Sequence, residues 1–394
     1  MSVKLLPGDE KILLPHITFF STDDRLAYTW RLDAQRIRMR LAPWPEAVES
    51  PNWRIYVGNP LEAGKDDFIL REVASQCAIE DSIYCSLIAR GATVLFSRVL
   101  NDGHVLDELH WCGMTYRLLS VADSAFLPAL AAFLDCGFDA LDAVCLARAW
   151  RSDNCHAEIG SELGDWPVKL ETFPKVMDLI PSPGSFPFCP SSLGVYPIFS
   201  SADGCEAMAK LGVKTVQLRI KSMNPNELRK QIARTVLVGL QVGGAYFIND
   251  HWRLAADEGA YGVHLGQEDI LGLSANDIAE LFLSGMRLGI STHGYYEILA
   301  AHHFRPSYLA VGAVFPTVTK VIATAPQGLE KLVRFVRLIQ PYYPVVAIGG
   351  IDVENLSMVL ATGVGGAAVV RALTGGGDME EMVARMQTIF KEQN

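Results

Sequence analysis

Three polar side chains at alternating positions form the most chemically suggestive pattern in this 394-residue sequence. Gln217, Arg219 and Lys221 lie in the run Gln-Leu-Arg-Ile-Lys, which follows a short apolar stretch. Because side chains alternate between the faces of a strand, all three would share one face. Cations on an inward face are costly unless an opposite charge lies nearby. Buried carboxylates could supply that charge, but we favour an anionic ligand.

Two carboxylates follow the next two apolar runs. Asp250 comes directly after Asn249, and Asp269 ends the segment His-Leu-Gly-Gln-Glu-Asp that begins at His264. Two such carboxylates at adjacent strand ends could hold Mg²⁺ together with water and phosphate oxygens, which is the ligand set that Mg²⁺ prefers. Asp250 could instead cap the following helix, and both interpretations stay open. We interpret His264 as a packed strand residue rather than a ligand.

The later apolar runs are followed by residues that suit anions. Two hydroxyls and a lysine after Pro316 predict an anion clamp, with a solvated polar loop as the alternative. Glycines after a seventh strand, together with the backbone after an eighth, are typical of the phosphate site of parallel barrels. The candidates in these loops are Ser291, Thr317, Thr319, Lys320, Gly350, Val370 and Arg371.

The elements that must position these residues are short apolar runs that alternate with helix-like segments. Near-continuous apolar strands alternating with helices indicate a parallel sheet covered by helices. Eight such units in the C-terminal half predict a compact (β/α)₈ barrel, whose active site lies at the carboxyl ends of the strands. A doubly wound open sheet is the alternative. The eight runs are 194–199, 215–220, 245–249, 262–265, 287–291, 308–314, 344–348 and 366–371.

The length and composition predict two domains. Four prolines in 181–192 predict a linker between an N-terminal domain, 1–180, and the barrel, 193–394. The first half reads as a mixed α/β domain, with strands at 53–58, 93–97 and 110–119 and two helices in 125–150 that break at Gly137.

The charge balance limits the partners that we expect. A net charge of -10 argues against a general binder of nucleic acid or anionic membranes. The N-terminus does not resemble a signal peptide, and no run approaches the ~18 apolar residues of a membrane span. We therefore expect a cytoplasmic protein with free thiols that acts on small molecules. The sequence leaves its oligomeric state open and permits a homo-oligomer.

The segment from about 193 to the end resembles thiamine-phosphate synthase. The resemblance is carried by six motifs in family order: QLRIK (217–221), IND (248–250), GVHLGQED (262–269), GIST (289–292), GAVFPTVTK (312–320) and IGGI (348–351). It implies a (β/α)₈ barrel that uses Mg²⁺ to join a hydroxymethylpyrimidine pyrophosphate to a thiazole phosphate, with release of pyrophosphate.

The resemblance also implies a role for each candidate residue. Asp250 and Asp269 would hold Mg²⁺, Gln217 would contact the pyrimidine, and Ser291 would touch the pyrimidine or its pyrophosphate. The pyrophosphate would be bound by Arg219, Lys221, Asn249 and Lys320. The thiazole phosphate would be bound by Thr317, Thr319, Gly350 and the backbone near Val370 and Arg371. The family often has serine where Arg371 stands, which puts the affinity for that phosphate in question unless backbone N–H groups bind it.

Two other functions are compatible with the same barrel. A thiazole tautomerase would not need the cations or the carboxylate pair, so their joint presence argues against it. A non-catalytic sensor of thiamine precursors is the second alternative.

The run from Phe126 to Val144 follows the helix pair of a known kinase family. On this basis residues 90–150 resemble the C-terminal part of the hydroxymethylpyrimidine phosphate kinases. The family's Gly-Thr-Gly-Cys anion hole is replaced here by Val121-Ala-Asp-Ser. Because non-glycine residues resist the backbone angles that turn N–H groups inward, the resemblance implies a degenerate, inactive kinase-like domain. A plain interaction domain is the alternative.

Overall fold

The computed structural model describes residues 14–41, 44, 51–58, 60, 62–73, 82–151, 164–317, 326–374 and 378–393. The chain divides into two compact units, Met1–Asp178 and Leu179–Asn394. Among the described residues, no helix combines the length and the apolar character needed to cross a membrane.

The first unit contains a mixed seven-stranded sheet whose strands follow one another in chain order. Strands β1 to β4 are parallel, and β4 to β7 are antiparallel. The strands are β1 (Ile17–Phe20), β2 (Trp53–Val57), β3 (Asp67–Glu72), β4 (Thr93–Val99), β5 (His104–Trp111), β6 (Met114–Val121) and β7 (Lys175–Val176). The helices are α1 (Asp24–Arg40), α2 (Ser82–Ala89), α3 (Phe126–Asp135) and α4 (Ala140–Ala149), with a 3₁₀ turn at Leu170–Thr172. The predicted mixed α/β unit is confirmed.

One predicted strand of this unit is wrong. The run 110–119 is not a single strand but spans the end of β5, the hairpin turn and most of β6. The chain reverses at Cys112 and Gly113, whose φ angles are 49° and 76°. Two successive positive φ angles are the signature of the tight turns that suit the twist of a hairpin. The apolar pattern continues through the turn, so periodicity alone hides it.

The second unit is a closed barrel of eight parallel strands. The closure confirms the predicted (β/α)₈ architecture and rejects the open-sheet alternative. Its strands are β8 (Gly194–Phe199), β9 (Thr215–Leu218), β10 (Ala245–Asn249), β11 (Gly262–Leu265), β12 (Arg287–Thr292), β13 (Tyr308–Gly312), β14 (Val345–Ile348) and β15 (Gly366–Val369). Its helices are α5 (Ala202–Lys210), α6 (Pro225–Val242), α7 (Trp252–Asp257), α8 (Gln267–Leu271), α9 (Ala275–Leu283), α10 (Tyr295–His303), α11 (Gly328–Ile339), α12 (Leu356–Leu360), α13 (Arg371–Thr374) and α14 (Met379–Gln393).

The ends of helix α6 show how local sequence sets the length of a connection. The Asn224 side chain accepts a hydrogen bond from the N–H of Asn226, and Pro225 occupies the first helical position. Both choices suit a helix start, since the first N–H groups lack helical partners. The helix ends at Gly243 in the left-handed conformation, which a glycine adopts without steric cost. The next strand, β10, therefore starts at a defined point.

Aromatic rings fill the barrel interior. Tyr196, Phe247 and Tyr308 are buried together, with ring centroids 5.1–6.1 Å apart. Strand β12 makes room for this cluster through Gly289, where an added Cβ would lie 2.2 Å from the Tyr308 ring. The glycine of the GIST motif is thus explained by packing inside the barrel.

The proline-rich segment 181–192 packs within the second unit. The Phe186 side chain is 2% exposed and meets the Phe282 ring edge-on, at 5.7 Å between centroids. The Phe188 side chain, by contrast, is 78% exposed. Cys189 is buried in the same core cluster as Tyr196. This segment therefore contributes to the barrel core.

Candidate active site at the carboxyl ends of the barrel strands

The carboxyl ends of the barrel strands carry the described candidate residues. Gln217 lies in β9, Asn249 ends β10 and Ser291 lies in β12, while the remaining candidates follow a strand or lie in the helix after it. The candidates that follow strands are Arg219, Lys221, Asp250, Thr317, Gly350 and Val370, whereas Asp269 lies in α8 and Arg371 begins α13. Thr319 and Lys320 lie outside the described residues.

The strand that carries the QLRIK motif is shorter than the alternating pattern of Gln217, Arg219 and Lys221 predicts. Strand β9 ends at Leu218, so only Gln217 points into the barrel, where it is 3% exposed. Arg219 is half-buried just beyond the strand, and its N–H donates to the carbonyl of Phe199 at 2.7 Å. Lys221 is exposed. The motif thus supplies one buried amide and two cations of increasing exposure.

Asp250 and Asp269 interact at the ends of neighbouring strands. Burial and the Asp269 carboxylate raise the pKa of Asp250, while the Arg219 guanidinium and His251 lower it. The His251 side chain is held in turn by the carbonyl of Ile220, at 2.9 Å. Asp250 has a φ of 64°, a backbone conformation that Asp and Asn tolerate better than most residues. The Asp250 carboxyl group therefore interacts electrostatically with a second carboxylate and a guanidinium.

This carboxylate pair fits a magnesium ion. Asp250 is half-buried and Asp269 is exposed. Their two negative charges repel each other, and a divalent cation would relieve that repulsion. Mg²⁺ is usually held by one or two carboxylates, with waters and phosphate oxygens as its other ligands. No group of three or more potential metal-ligating side chains occurs within the described ranges. The pair therefore suits Mg²⁺ that shares its coordination with a phosphorylated substrate.

The turn after β14 is shaped by two consecutive glycines. Gly349 and Gly350 have φ angles of 101° and 68°. A Cβ at position 350 would lie 2.7 Å from the Phe315 Cβ and 2.9 Å from the Pro316 carbonyl oxygen. The Asn355 side chain also donates to the Gly350 carbonyl at 2.9 Å. Only glycine lets this turn lie against the loop after β13, and Thr317 follows in that loop.

A buried polar network was not predicted from the sequence. His264 contacts the Tyr308 hydroxyl through Nδ1 and the Ser291 hydroxyl through Nε2, each at 2.8 Å. The Tyr308 hydroxyl also meets that of Tyr196 at 2.8 Å, and the Gln217 amide donates to the Tyr196 hydroxyl at 3.1 Å. His264 is packed in its strand as predicted, but it also links two candidate residues. The only sequence signal was a histidine and two tyrosines among apolar strand positions.

Asp123, in the segment predicted to be a degenerate kinase-like loop, has a local structural role. The Asp123 carboxylate accepts a hydrogen bond from the N–H of Ala125 at 2.8 Å, immediately before α3. Ala122 donates its N–H to the carbonyl of Gly103 at 3.1 Å. The backbone and side chain of this loop are therefore engaged in local contacts.

Comparison with known proteins identifies relatives of the second unit. The family model described as thiamine monophosphate synthase matches residues 197–373. A thiamine-phosphate synthase of Citrobacter koseri is 46% identical over 204 residues, which cover 52% of this chain and 95% of that protein. A thiamine-phosphate synthase of Yersinia pestis is 46% identical over 205 residues, covering 52% of this chain and 93% of that protein.

A solved structure is also similar to this unit. The thiamine phosphate pyrophosphorylase of Pyrococcus furiosus is 30% identical, with a TM-score of 0.45. The match covers 51% of this chain and 96% of that one.

Proposed function

This chain belongs to the thiamine-phosphate synthase family, and on that premise we propose how its second unit carries out the reaction. The substrates are hydroxymethylpyrimidine pyrophosphate and thiazole phosphate, and the products are thiamine phosphate and pyrophosphate. The C–O bond to the pyrophosphate breaks, and the thiazole nitrogen forms the new C–N bond to the same CH₂ carbon. The enzyme works in the cytoplasm on these two small molecules.

The chemistry requires charge neutralisation rather than a strong base. An electron-rich aminopyrimidine delocalises positive charge at its CH₂ group, which favours loss of pyrophosphate before attack. The thiazole nitrogen is already nucleophilic and carries no proton. The protein therefore lowers the barrier by stabilising charge on the departing pyrophosphate and by aligning the two rings.

The leaving pyrophosphate is bound by polar groups that follow strands β9, β10 and β13. Arg219 supplies a half-buried guanidinium that also faces Asp250. Lys221 and Asn249 add a second cation and an amide, and Lys320 adds a third cation from the loop after β13. A positive environment that exists before the reaction needs no reorganisation when charge develops.

Asp250 and Asp269 hold Mg²⁺ in this proposal, and the bound ion supplies neutralising charge next to the pyrophosphate. Their oxygen donors and their mutual repulsion support the assignment. Arg219 partly offsets the charge of Asp250, so one fixed positive charge stands against the two negative charges of the pair. The site therefore keeps an excess negative charge, which favours binding of a cation.

The thiazole phosphate lies between the loop after β13 and the turns after β14 and β15. The left-handed turn at Gly350 exposes backbone to the site, and Thr317 and Thr319 contribute hydroxyl donors. Backbone N–H groups near Val370 and Arg371 complete the phosphate site. Arg371 is exposed and adds a cation where the family often has serine.

The single observation that carries this proposal is that the Asp250 carboxyl group interacts electrostatically with both the Asp269 carboxylate and the Arg219 guanidinium. A thiazole tautomerase has no use for it, because isomerisation releases no pyrophosphate. Expression of this chain in a bacterium that lacks its own thiamine-phosphate synthase tests the proposal in the cell. Growth without added thiamine is expected, whereas growth that depends on thiamine would contradict it.

We propose that the first unit is a degenerate kinase-like domain without kinase activity. The support is the Val121-Ala-Asp-Ser sequence, together with the local engagement of Asp123 at the start of α3. Incubation of the full-length protein with ATP and hydroxymethylpyrimidine phosphate should yield no pyrophosphate ester. ATP-dependent formation of that product would show that the domain is a working kinase.

A further inference from the structure

Five polar side chains form a continuous network through the barrel interior. We call it the interior network, and it consists of Gln217, Tyr196, Tyr308, His264 and Ser291. Successive hydrogen-bonding atoms lie 3.1, 2.8, 2.8 and 2.8 Å apart in that order. The network starts at a buried amide in β9 and ends at a half-buried hydroxyl near the end of β12. It therefore connects the core of the barrel with the substrate site.

The first contact decides the direction of every other hydrogen bond. Gln217 meets Tyr196 through its amide nitrogen, which can only donate. The Tyr196 oxygen is then an acceptor, and within the described part of the chain its own proton has one remaining partner, the Tyr308 oxygen. The Tyr308 proton in turn points to Nδ1 of His264.

The His264 imidazole sets the direction of the last hydrogen bond, which joins it to Ser291. Because Nδ1 of His264 accepts from Tyr308, the ring proton lies on Nε2. Nε2 then donates to the Ser291 oxygen. The Ser291 backbone is also fixed, since its carbonyl accepts from the Gln267 amide at 2.7 Å. The proton of the Ser291 hydroxyl is the one left for the substrate.

With the Gln217 amide oriented in this way, reversing the later hydrogen bonds would leave a buried proton without a partner. If His264 donated to Tyr308, the Tyr308 proton would turn to Tyr196, whose oxygen already accepts from Gln217. The Tyr196 proton would then be unsatisfied inside the barrel, and such groups are rare in folded proteins. Burial raises the pKa of both phenols, so each keeps a proton that must be placed.

We propose that Tyr196 and Tyr308 are positioning residues that fix the polarity of the interior network, so that Ser291 donates its hydroxyl proton to an acceptor atom of the substrate. A ring nitrogen of the pyrimidine and an oxygen of its pyrophosphate are acceptors. The exocyclic amino group is a donor and cannot accept the Ser291 proton. The inference rests on the proposed function for the identity of the substrate, but not for the direction of the hydrogen bonds.

Nitrogen NMR of the full-length protein with ¹⁵N-labelled histidine tests the direction without any activity measurement. The His264 signals are assigned by their loss in His264→Asn. We expect a neutral ring with the proton on Nε2 in the wild type, and a loss of that strict preference in Tyr308→Phe. A wild-type ring that carries its proton on Nδ1, or on both nitrogens, would overturn the proposal.

A double-mutant cycle tests whether the tyrosine acts through Ser291. Tyr308→Phe should lower kcat/KM by about tenfold, the scale of one lost hydrogen bond in a buried network. In a Ser291→Ala background the same substitution should change kcat/KM little, because its target is already gone. Equal effects in both backgrounds would show a purely structural role and would overturn the proposal.

Tyr343→Phe provides the matched control. The Tyr343 hydroxyl contacts Nδ1 of His302 at 2.8 Å, as Tyr308 contacts His264, but His302 lies on helix α10. This variant should leave kcat/KM and the His264 signals unchanged. An inactive wild type would contradict the proposed function alone, because the NMR result on His264 would still decide the direction of the network.

Discussion

The carboxyl group of Asp250 interacts with that of Asp269 beyond the ends of two neighbouring barrel strands. The Asp250 backbone has a φ of 64°. Burial and the neighbouring Asp269 carboxylate disfavour ionisation of Asp250 in the folded protein, and its pKa is raised accordingly. A carboxyl whose pKa is higher in the folded than in the unfolded state weakens folding above the pH range where it ionises. At neutral pH this pair therefore opposes folding, and a bound cation would remove the penalty.

Asp250→Asn should lower activity but raise the stability of the metal-free protein. Asparagine tolerates the positive φ, whereas alanine would add backbone strain. We expect kcat to fall by about 10²-fold or more, while the melting temperature of the metal-free protein at pH 7 rises. Mg²⁺ should raise the melting temperature of the wild type but not that of the variant. Turnover and thermal unfolding, each measured with and without Mg²⁺, provide the test.

Asp178→Asn is the matched control for that experiment. Asp178 also has a positive φ, 63°, but its partner is Arg117 in the first unit. This substitution should leave both kcat and the response to Mg²⁺ unchanged. A fully active Asp250→Asn, or a wild type active in excess chelator, would rule out the metal assignment.

Arg219→Ala should act on the chemical step. We expect kcat to fall by about 10²–10³-fold, or roughly 2.7–4 kcal/mol, the scale for losing one donor to developing charge. Lys320→Ala should have a similar effect, and this expectation rests on the sequence alone. Arg229→Ala, which removes a surface arginine paired with Asp257 and Glu258, should leave kcat unchanged. An unchanged kcat with a raised KM for Arg219→Ala would limit that residue to ground-state binding.

Gly350→Ala should weaken binding of the thiazole phosphate. The added methyl group would meet Phe315 and the Pro316 carbonyl at less than 3 Å, so the loop after β13 must move. We expect a KM for thiazole phosphate raised by about tenfold or more, with a loss of roughly 1–3 kcal/mol of stability from the unfavourable φ. Steady-state kinetics and denaturant unfolding measure the two effects.

Gly259→Ala is the control that distinguishes the effect of backbone strain from a change in the geometry of the phosphate site. Gly259 has a φ of 69°, and an added Cβ there meets no heavy atom within 4 Å. It should lose stability to a similar degree but keep the wild-type KM. If both variants change KM equally, the turn at Gly350 has no special part in phosphate binding.

Phe186→Ala should destabilise the second unit, although it lies in the segment predicted as a linker. Removing a buried phenylalanine typically costs about 3–5 kcal/mol, and the Phe186 ring is 2% exposed. Phe188→Ala, two residues away at a side chain that is 78% exposed, should change stability by less than about 0.5 kcal/mol. Equal, small losses in denaturant unfolding would mean that the segment contributes no core.

The barrel could be predicted from the sequence because its strands are apolar runs with clear ends. Strands β8, β10 and β11 coincide with the predicted runs, since glycine precedes or begins each and polar residues follow. The predictions extend too far at 215–220, 308–314 and 366–371, where polar or small residues continue the pattern beyond the last ladder hydrogen bond. Helices α3 and α4, which break near Gly137, are confirmed in the same way.

The parts that could not be predicted depend on contacts between distant residues. Tyr196 and Tyr308 are 112 residues apart, and in sequence each looks like an ordinary strand position. Their hydroxyls meet only because the barrel closes and Gly289 leaves space for the Tyr308 ring. The packing of Phe186 was hidden for a similar reason, because prolines identify irregular backbone but not what lies beneath it.

The most direct test of the central claim is product formation by the purified full-length protein. Hydroxymethylpyrimidine pyrophosphate, thiazole phosphate and Mg²⁺ are incubated with the enzyme, and both products are quantified by chromatography. We predict thiamine phosphate and pyrophosphate in equal amounts, with neither product when a substrate is omitted and a large loss in Asp250→Asn. Wild-type protein that is folded but forms no thiamine phosphate from the two substrates would contradict the account.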